Sequence, residues 1–150
     1  MTQSVADSPF PAPSHILRAV VFQVRDGELK VLSWQRGGDG PQPLTWMLPG
    51  GYLAPNESLE SSIRRHLATK VELREVSHLE QLGSWSDPAN DSDAWQVLTA
   101  YMGLVASNVD PALPPDTAWH SVDDHPPFAF DNGRIVDQAR DVVAEVGRLA

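Results

Sequence analysis

The stretch that most constrains this chain runs from Gly50 to Leu73, GGYLAPNESLESSIRRHLATKVEL. Gly50 and Gly51 permit a tight turn, because glycine reaches positive φ at no steric cost. Pro55, Asn56 and Glu57 then read as the opening of a helix. Asn56 suits the N-cap, and Glu57 suits the positive end of the helix dipole. Leu59, Ile63 and Leu67 recur every four residues, so one stripe of that helix faces a core. The expected helix covers about residues 57 to 70. Strand, loop and helix must therefore be contiguous here, and the N–H groups of such a junction favour anions.

The same residues resemble the Nudix box, G-x5-E-x7-R-E-U-x-E-E-x-G-U, in which U is apolar. Gly51, Glu57, Arg65, Leu67 and Leu73 stand at matching positions. The three late glutamates of the pattern fall on His66, Thr69 and Lys70, and its second glycine falls on Glu72. Positions i, i+3 and i+4 share one helix face. In the family the glutamates on that face gather into a carboxylate cluster that holds Mg²⁺ against a diphosphate, as hard cations require. An imidazole, a hydroxyl and an ammonium replace them here. The resemblance thus implies the Nudix fold, while these three side chains argue against its usual catalysis.

A chain of 150 residues with 41% hydrophobic content and five tryptophans suits one domain with a real core. The absence of cysteine excludes disulfides, thiolate catalysis and cysteine-ligated zinc. No apolar run reaches the length of a membrane span. The opening MTQSVADSPFPAPSH has no signal-peptide pattern, so residues 1–14 are expected to form a disordered tail and the protein to be cytoplasmic. The net charge of −9 comes from the second half, where the only bases are Arg134, Arg140 and Arg148. A duplex-binding surface is normally a basic patch, so direct nucleic-acid binding by this segment is not expected.

In chain order, His15 to Val24 reads as a strand, Asp26-Gly27 as a hairpin turn, and Glu28 to Arg36 as the returning strand. Trp46-Met47-Leu48 enters the box as a short strand. Val76–Trp85 and Trp95–Val105 read as a second hairpin. Trp119–Val122 suggests a further short strand. Asp131 or Asn132 can cap a last helix from about Gly133 to Leu149, whose apolar face is Ile135, Val136, Ala139, Val142, Val143 and Val146. This order predicts an α+β sandwich, a mixed β-sheet between α-helices, over residues 15–150. It agrees with the fold that the box implies.

Outside the box, HLEQLGSWSDP, AYMGLV and PPFAFDNGRIVDQAR resemble the N-terminal half of Nudix-related transcriptional regulators of NAD metabolism. That resemblance implies a domain that binds ADP-ribose or a related NAD-derived nucleotide, forms a homodimer, and precedes a winged-helix DNA-binding domain.

The candidate ligand-binding residues follow from chemistry and from this resemblance. Gly50 and Gly51 offer backbone N–H groups to a diphosphate. Lys70 and Arg36 offer positive charge, the guanidinium matching a phosphate with two bonds. Trp46 and Trp85 offer flat faces for a base. Phe128 and Phe130 suit a pocket wall, and Glu80 lies in the strand that borders the ligand in the resembling regulators. Glu57 and Arg65 form a structural pair that shapes the loop. His66 has the titration range of a general base but reads first as a helix histidine. No cofactor is required in this reading, and no residue is assigned a catalytic role. The rival expectation is a Mg²⁺-dependent hydrolase of ADP-ribose or another nucleoside diphosphate derivative. Its metal would rest on Glu57, Glu60 and acids of residues 87–93. A third is a dimerising domain without a ligand.

Overall fold

β1 (Ser14–Arg25) is buried on both faces through its middle. Leu17, Ala19 and Val21 point one way, and Val20 and Phe22 the other, following the two-residue period of a strand. The computed structural model describes residues 9–10, 12–36, 45–86, 95–128 and 132–149. In it β1 forms the middle of a mixed seven-stranded sheet with a helix on each face.

β2 (Glu28–Arg36) returns antiparallel to β1. Asp26 (φ 52°) and Gly27 (φ 77°) make the turn, both left-handed as a two-residue hairpin loop needs. β3 (Thr45–Met47) and β7 (Thr117–Ser121) both pair antiparallel with β2. β4 (Gly50–Tyr52) is a separate strand, antiparallel to β1 from Ile16↔Tyr52 to Arg18↔Gly50. β6 (Gln96–Val105) runs parallel to β1, and β5 (Val76–Trp85) forms the edge beside it. The main order is β3-β2-β1-β6-β5.

α1 (Leu59–Ala68) lays Ile63 and Leu67 on Leu17, Ala19, Val21 and Leu32, with Leu59 partly buried beside them. Burying two such side chains stabilises the fold by about 1.5–3 kcal/mol each. α2 (Asn132–Leu149) lays Ile135, Val136 and Ala139 on Val20, Phe22, Val31 and Met102 across the opposite face. The α+β sandwich expected from the element order is thus the observed architecture. Among the described residues no helix is long and apolar enough to cross a membrane.

Several local expectations are corrected. Asn56 does not cap α1. With φ 62° it is the left-handed residue of a Pro-Asn turn closed by Glu57 N–H on the Ala54 carbonyl at 3.3 Å. Ser58 is the cap, its extended backbone letting Oγ accept the Ser61 N–H at 3.1 Å. The helix therefore starts later than expected, and it ends at Ala68, where the Thr69 hydroxyl donates to the His66 carbonyl at 2.6 Å. Asn132 sits inside α2 and turns its Oδ1 to the buried Leu48 N–H at 3.0 Å. Val142 is 37% exposed and leaves the apolar stripe. Ser14 belongs to β1, and residues 1–8 and 11 of the expected tail lie outside the described residues. So do Asp131, Phe130, the acids of residues 87–93 and the side chain of Val146.

Candidate functional site

The loop after β4 is fastened to α1 by a two-pronged ion pair. Arg65 Nε donates to Glu57 Oε2 at 2.7 Å and Nη2 to Oε1 at 2.9 Å, while Oε1 also accepts the Ala54 N–H at 3.0 Å. The Arg65 guanidinium first, and the Ala54 N–H after it, hold the Glu57 carboxyl down at about 2 against its ordinary 4.5. Arg65 Nη2 also reaches the Tyr52 carbonyl at 3.3 Å.

His66 fastens the same loop from above. Its Nε2 lies 3.0 Å from the Tyr52 carbonyl, an acceptor, so Nε2–H is the donor of this contact. The ring rests on Gly51: a Cβ there would collide with the imidazole Cε1 and lie 2.9 Å from Nδ1. Gly51 is glycine for this close approach and does not have positive φ, which corrects one expectation. Gly50 does take φ 155°, and a Cβ on it would collide with the Leu17 carbonyl and meet Arg18 Nη1 at 2.9 Å.

The other box positions are also engaged within the protein. Lys70 Nζ lies 2.6 Å from Asp116 Oδ2 and 4.4 Å from the centre of the Trp34 ring. The ammonium expected to meet a phosphate is thus paired with a carboxylate of this chain. Glu60 pairs with Arg64 at 3.2 Å. Glu72, in place of the second glycine, accepts the Ala112 N–H at 3.0 Å and pairs with Arg74 at 2.9 Å. A hard divalent cation needs several convergent oxygen ligands. An imidazole on Gly51, a hydroxyl turned to its own helix and a paired ammonium do not supply them, so these residues do not fit Mg²⁺. Among the described residues no three metal-ligating side chains converge.

The aromatic candidates lie on the other face of the sheet, the one covered by α2, with Trp46 on β3 at one end of the strand order and Trp85 on β5 at the other. Trp46 meets His120 edge to face with centroids 4.3 Å apart, and its backbone bridges to Phe128. Phe128 stacks at a tilt on His125 at 4.5 Å. Phe128 and Trp85 both pack on the α2 core, and the Trp85 indole lies over Gly83. His120 Nε2 is buried without a partner, and burial, followed by the nearby charges of His125 and Lys30, lowers the pKa of this imidazole. Glu80 is exposed on β5, paired in register with Met102 of the same core. Arg36 ends β2 opposite Thr45. The structure thus brings Trp46, Phe128 and Trp85 to one face, and His66, Gly51, Glu57 and Arg65 to the other. Gly50 stands between them at the sheet's rim. A separate open polar depression on β2 and β7, lined by Glu28, Lys30, Trp119, His120, Ser121, Asp123 and Asp124, does not include the glycine loop.

Sequence reasoning missed Arg18, Tyr52 and Asp116. Asp116 carries no pattern that ties it to Lys70. Arg18 did leave a trace, as the one charge inside an otherwise apolar strand.

Comparison with known proteins agrees with this geometry. The NUDIX domain profile matches residues 14–139. The ADPR responsive transcriptional repressor NtrR of Acinetobacter baylyi is 31% identical over 100 residues, which are 65% of this chain and 39% of that protein. The chain therefore spans well under half the length of this curated relative. The NUDIX domain of Shewanella oneidensis NrtR, solved with ADP ribose, is 31% identical with a TM-score of 0.76, covering 93% of this chain and 96% of that one. Shewanella oneidensis NrtR complexed with a 27mer DNA is 29% identical with a TM-score of 0.67, covering 87% and 62%. A profile match over most of the length, on a mixed sheet between two helices with the Glu57–Arg65 pair holding the box loop, places this chain in the NUDIX domain family.

Proposed function

We propose that this chain is a ligand-binding domain of a transcriptional regulator, that it senses ADP-ribose or a related NAD-derived nucleotide, and that it does not hydrolyse its ligand. The observation that carries this reading is the fate of the three box positions. His66, Thr69 and Lys70 replace carboxylates; His66 is bound to the Tyr52 carbonyl, Thr69 to its own helix and Lys70 to Asp116. The ADP-ribose complex of the Shewanella relative supports the ligand class. The aromatic side chains Trp46, Trp85 and Phe128 on the α2 face supply stacking surface for a base, with Phe130, Glu80 and Arg36 as further candidates. Gly50 and Gly51 supply the close backbone approach. No Mg²⁺ is required for binding in this reading. The domain works in the cytoplasm as a homodimer, the commonest soluble assembly, and leaves DNA contacts to another part of the regulator.

The test is calorimetric titration of ADP-ribose in EDTA and again with Mg²⁺, with product analysis alongside. Equal binding in both conditions and no cleavage are expected. Binding only with Mg²⁺, or turnover of about 1 s⁻¹ or more in protein free of contaminating hydrolase, overturns the proposal. Sedimentation at micromolar concentration tests the dimer, and a lone 16.4 kDa species would refute it.

A further inference from the structure

Tyr52 is 61% exposed and belongs to neither core cluster. Among the described residues its hydroxyl bonds to no other group. Its carbonyl, by contrast, accepts from both Arg65 and His66. In register across the sheet, Tyr52 of β4 stands beside Ile16 of β1, Ile16 beside Leu98 of β6, and Leu98 beside Trp85 of β5. Paired residues share a face, and Ile16 keeps step with Val20 and Phe22, so the row lies on the α2 face. Ile16, Leu98 and Trp85 are half-buried. The row is therefore an apolar line four strands wide with an aromatic ring at each end. Three strand spacings separate those ends, about 14 Å. Gly83 gives the Trp85 indole room to lie over the sheet.

A row one side chain deep is too small for a second copy of the chain, since a stable protein interface takes about 20–30 residues a side. It suits a small, extended molecule. The indole offers the larger flat face, which favours a base. Tyrosine pairs an apolar ring with a polar tip, which matches a sugar with its C–H face and hydroxyls. A nucleoside diphosphate joined to a sugar carries those two groups at its ends, and when extended it spans a distance of this order. We infer that Tyr52 is the residue that recognises the terminal sugar of the ligand, while Trp85 takes the base. The inference rests on the nucleotide-binding reading and assigns the two ends of the ligand within it. It also gives the altered box a task. Arg65, braced by Glu57, and His66 fix the backbone that carries the Tyr52 ring, and a contact ordered in advance costs less to form.

The experiment titrates ADP-ribose, ADP and adenosine in EDTA into wild type, Tyr52→Ala, Tyr52→Thr, Tyr52→Phe and Trp85→Leu. Tyr52→Thr keeps a residue that favours strands, Trp85→Leu keeps apolar bulk, and thermal melts establish which variants are folded. Tyr52→Ala and Tyr52→Thr are expected to bind ADP-ribose at least about fivefold more weakly, with ADP and adenosine unchanged. Tyr52→Phe should recover part of the loss. Trp85→Leu should weaken all three ligands about tenfold. ADP-ribose binding within twofold of wild type in either folded Tyr52 variant overturns the inference. So does an equal loss for ADP, or adenosine binding unchanged in folded Trp85→Leu. Sedimentation of Tyr52→Ala as a monomer where wild type is a dimer would assign the row to a second copy and overturn it too. Wild type that binds neither ADP-ribose nor ADP brings down the nucleotide reading itself, and this inference with it.

Discussion

Lys70 reaches Asp116 at 2.6 Å across 46 positions of sequence, tying the second residue past α1 to the residue before β7. Asp116 Oδ1 meanwhile accepts the Thr117 hydroxyl at 2.7 Å, so the carboxylate is held from both sides. The pair therefore positions β7 against the box helix.

Lys70→Met is expected to lower stability modestly. Asp116 is 41% exposed, so screening by water keeps the ion pair to about 0.5–1 kcal/mol. Loss of the contact with Trp34 adds roughly as much again. Urea unfolding measures this, and ADP-ribose titration should show affinity unchanged within about twofold. A large loss of affinity with unchanged stability would return Lys70 to the phosphate site.

Gly51→Ala forces a methyl group into the His66 ring. Overpacking of this kind costs about 1–3 kcal/mol. The double variant Gly51→Ala with His66→Ala should recover part of that loss, because the ring that causes the collision is gone. Thermal melts of wild type, both single variants and the double variant give the coupling.

The Glu57 carboxyl titrates at about 2 in the folded chain against an ordinary 4.5. A lowered folded value means the contribution is complete above 4.5 and disappears as pH falls towards about 2. Wild type should therefore exceed Glu57→Gln in stability at neutral pH, and the difference should shrink across that acid window. Urea midpoints of both proteins from pH 7 down to pH 2.5 measure it. A difference that does not change with pH would show that the carboxylate charge is not what holds the loop.

Asn132→Ala removes the side-chain oxygen that accepts the buried Leu48 N–H. An unsatisfied buried N–H costs about 1–3 kcal/mol. Hydrogen exchange at Leu48 should speed up along with the loss in melting temperature.

Much of the fold was legible because local rules and tertiary structure agreed. Asp26-Gly27 gave the hairpin turn its left-handed residues, and Leu59, Ile63 and Leu67 marked the buried stripe of α1. Local rules failed where two of them competed. Asn56 suits both a cap and a left-handed turn, and Pro55 before it decided for the turn, passing the cap to Ser58. β4 was hidden because its two glycines read as loop, although Gly50 and Gly51 pair with Arg18 and Leu17. In the candidate site, the replaced glutamates were visible at once. Their new partners were not, since the Lys70–Asp116 and His66–Tyr52 contacts join positions whose closeness only the assembled sheet creates.

The parallel pairing of β1 with β6 has a consequence for how the chain is made. β1 leaves the ribosome long before β6, and until β6 arrives its most apolar stretch, Leu17 to Phe22, keeps an open edge. Contacts between such distant segments form late and slow the approach to the native state. Open strand edges recruit other chains. Nascent chains stalled before Gln96 are thus expected to be captured by chaperones or to co-aggregate, whereas those that have passed Val105 can close the sheet's centre on themselves.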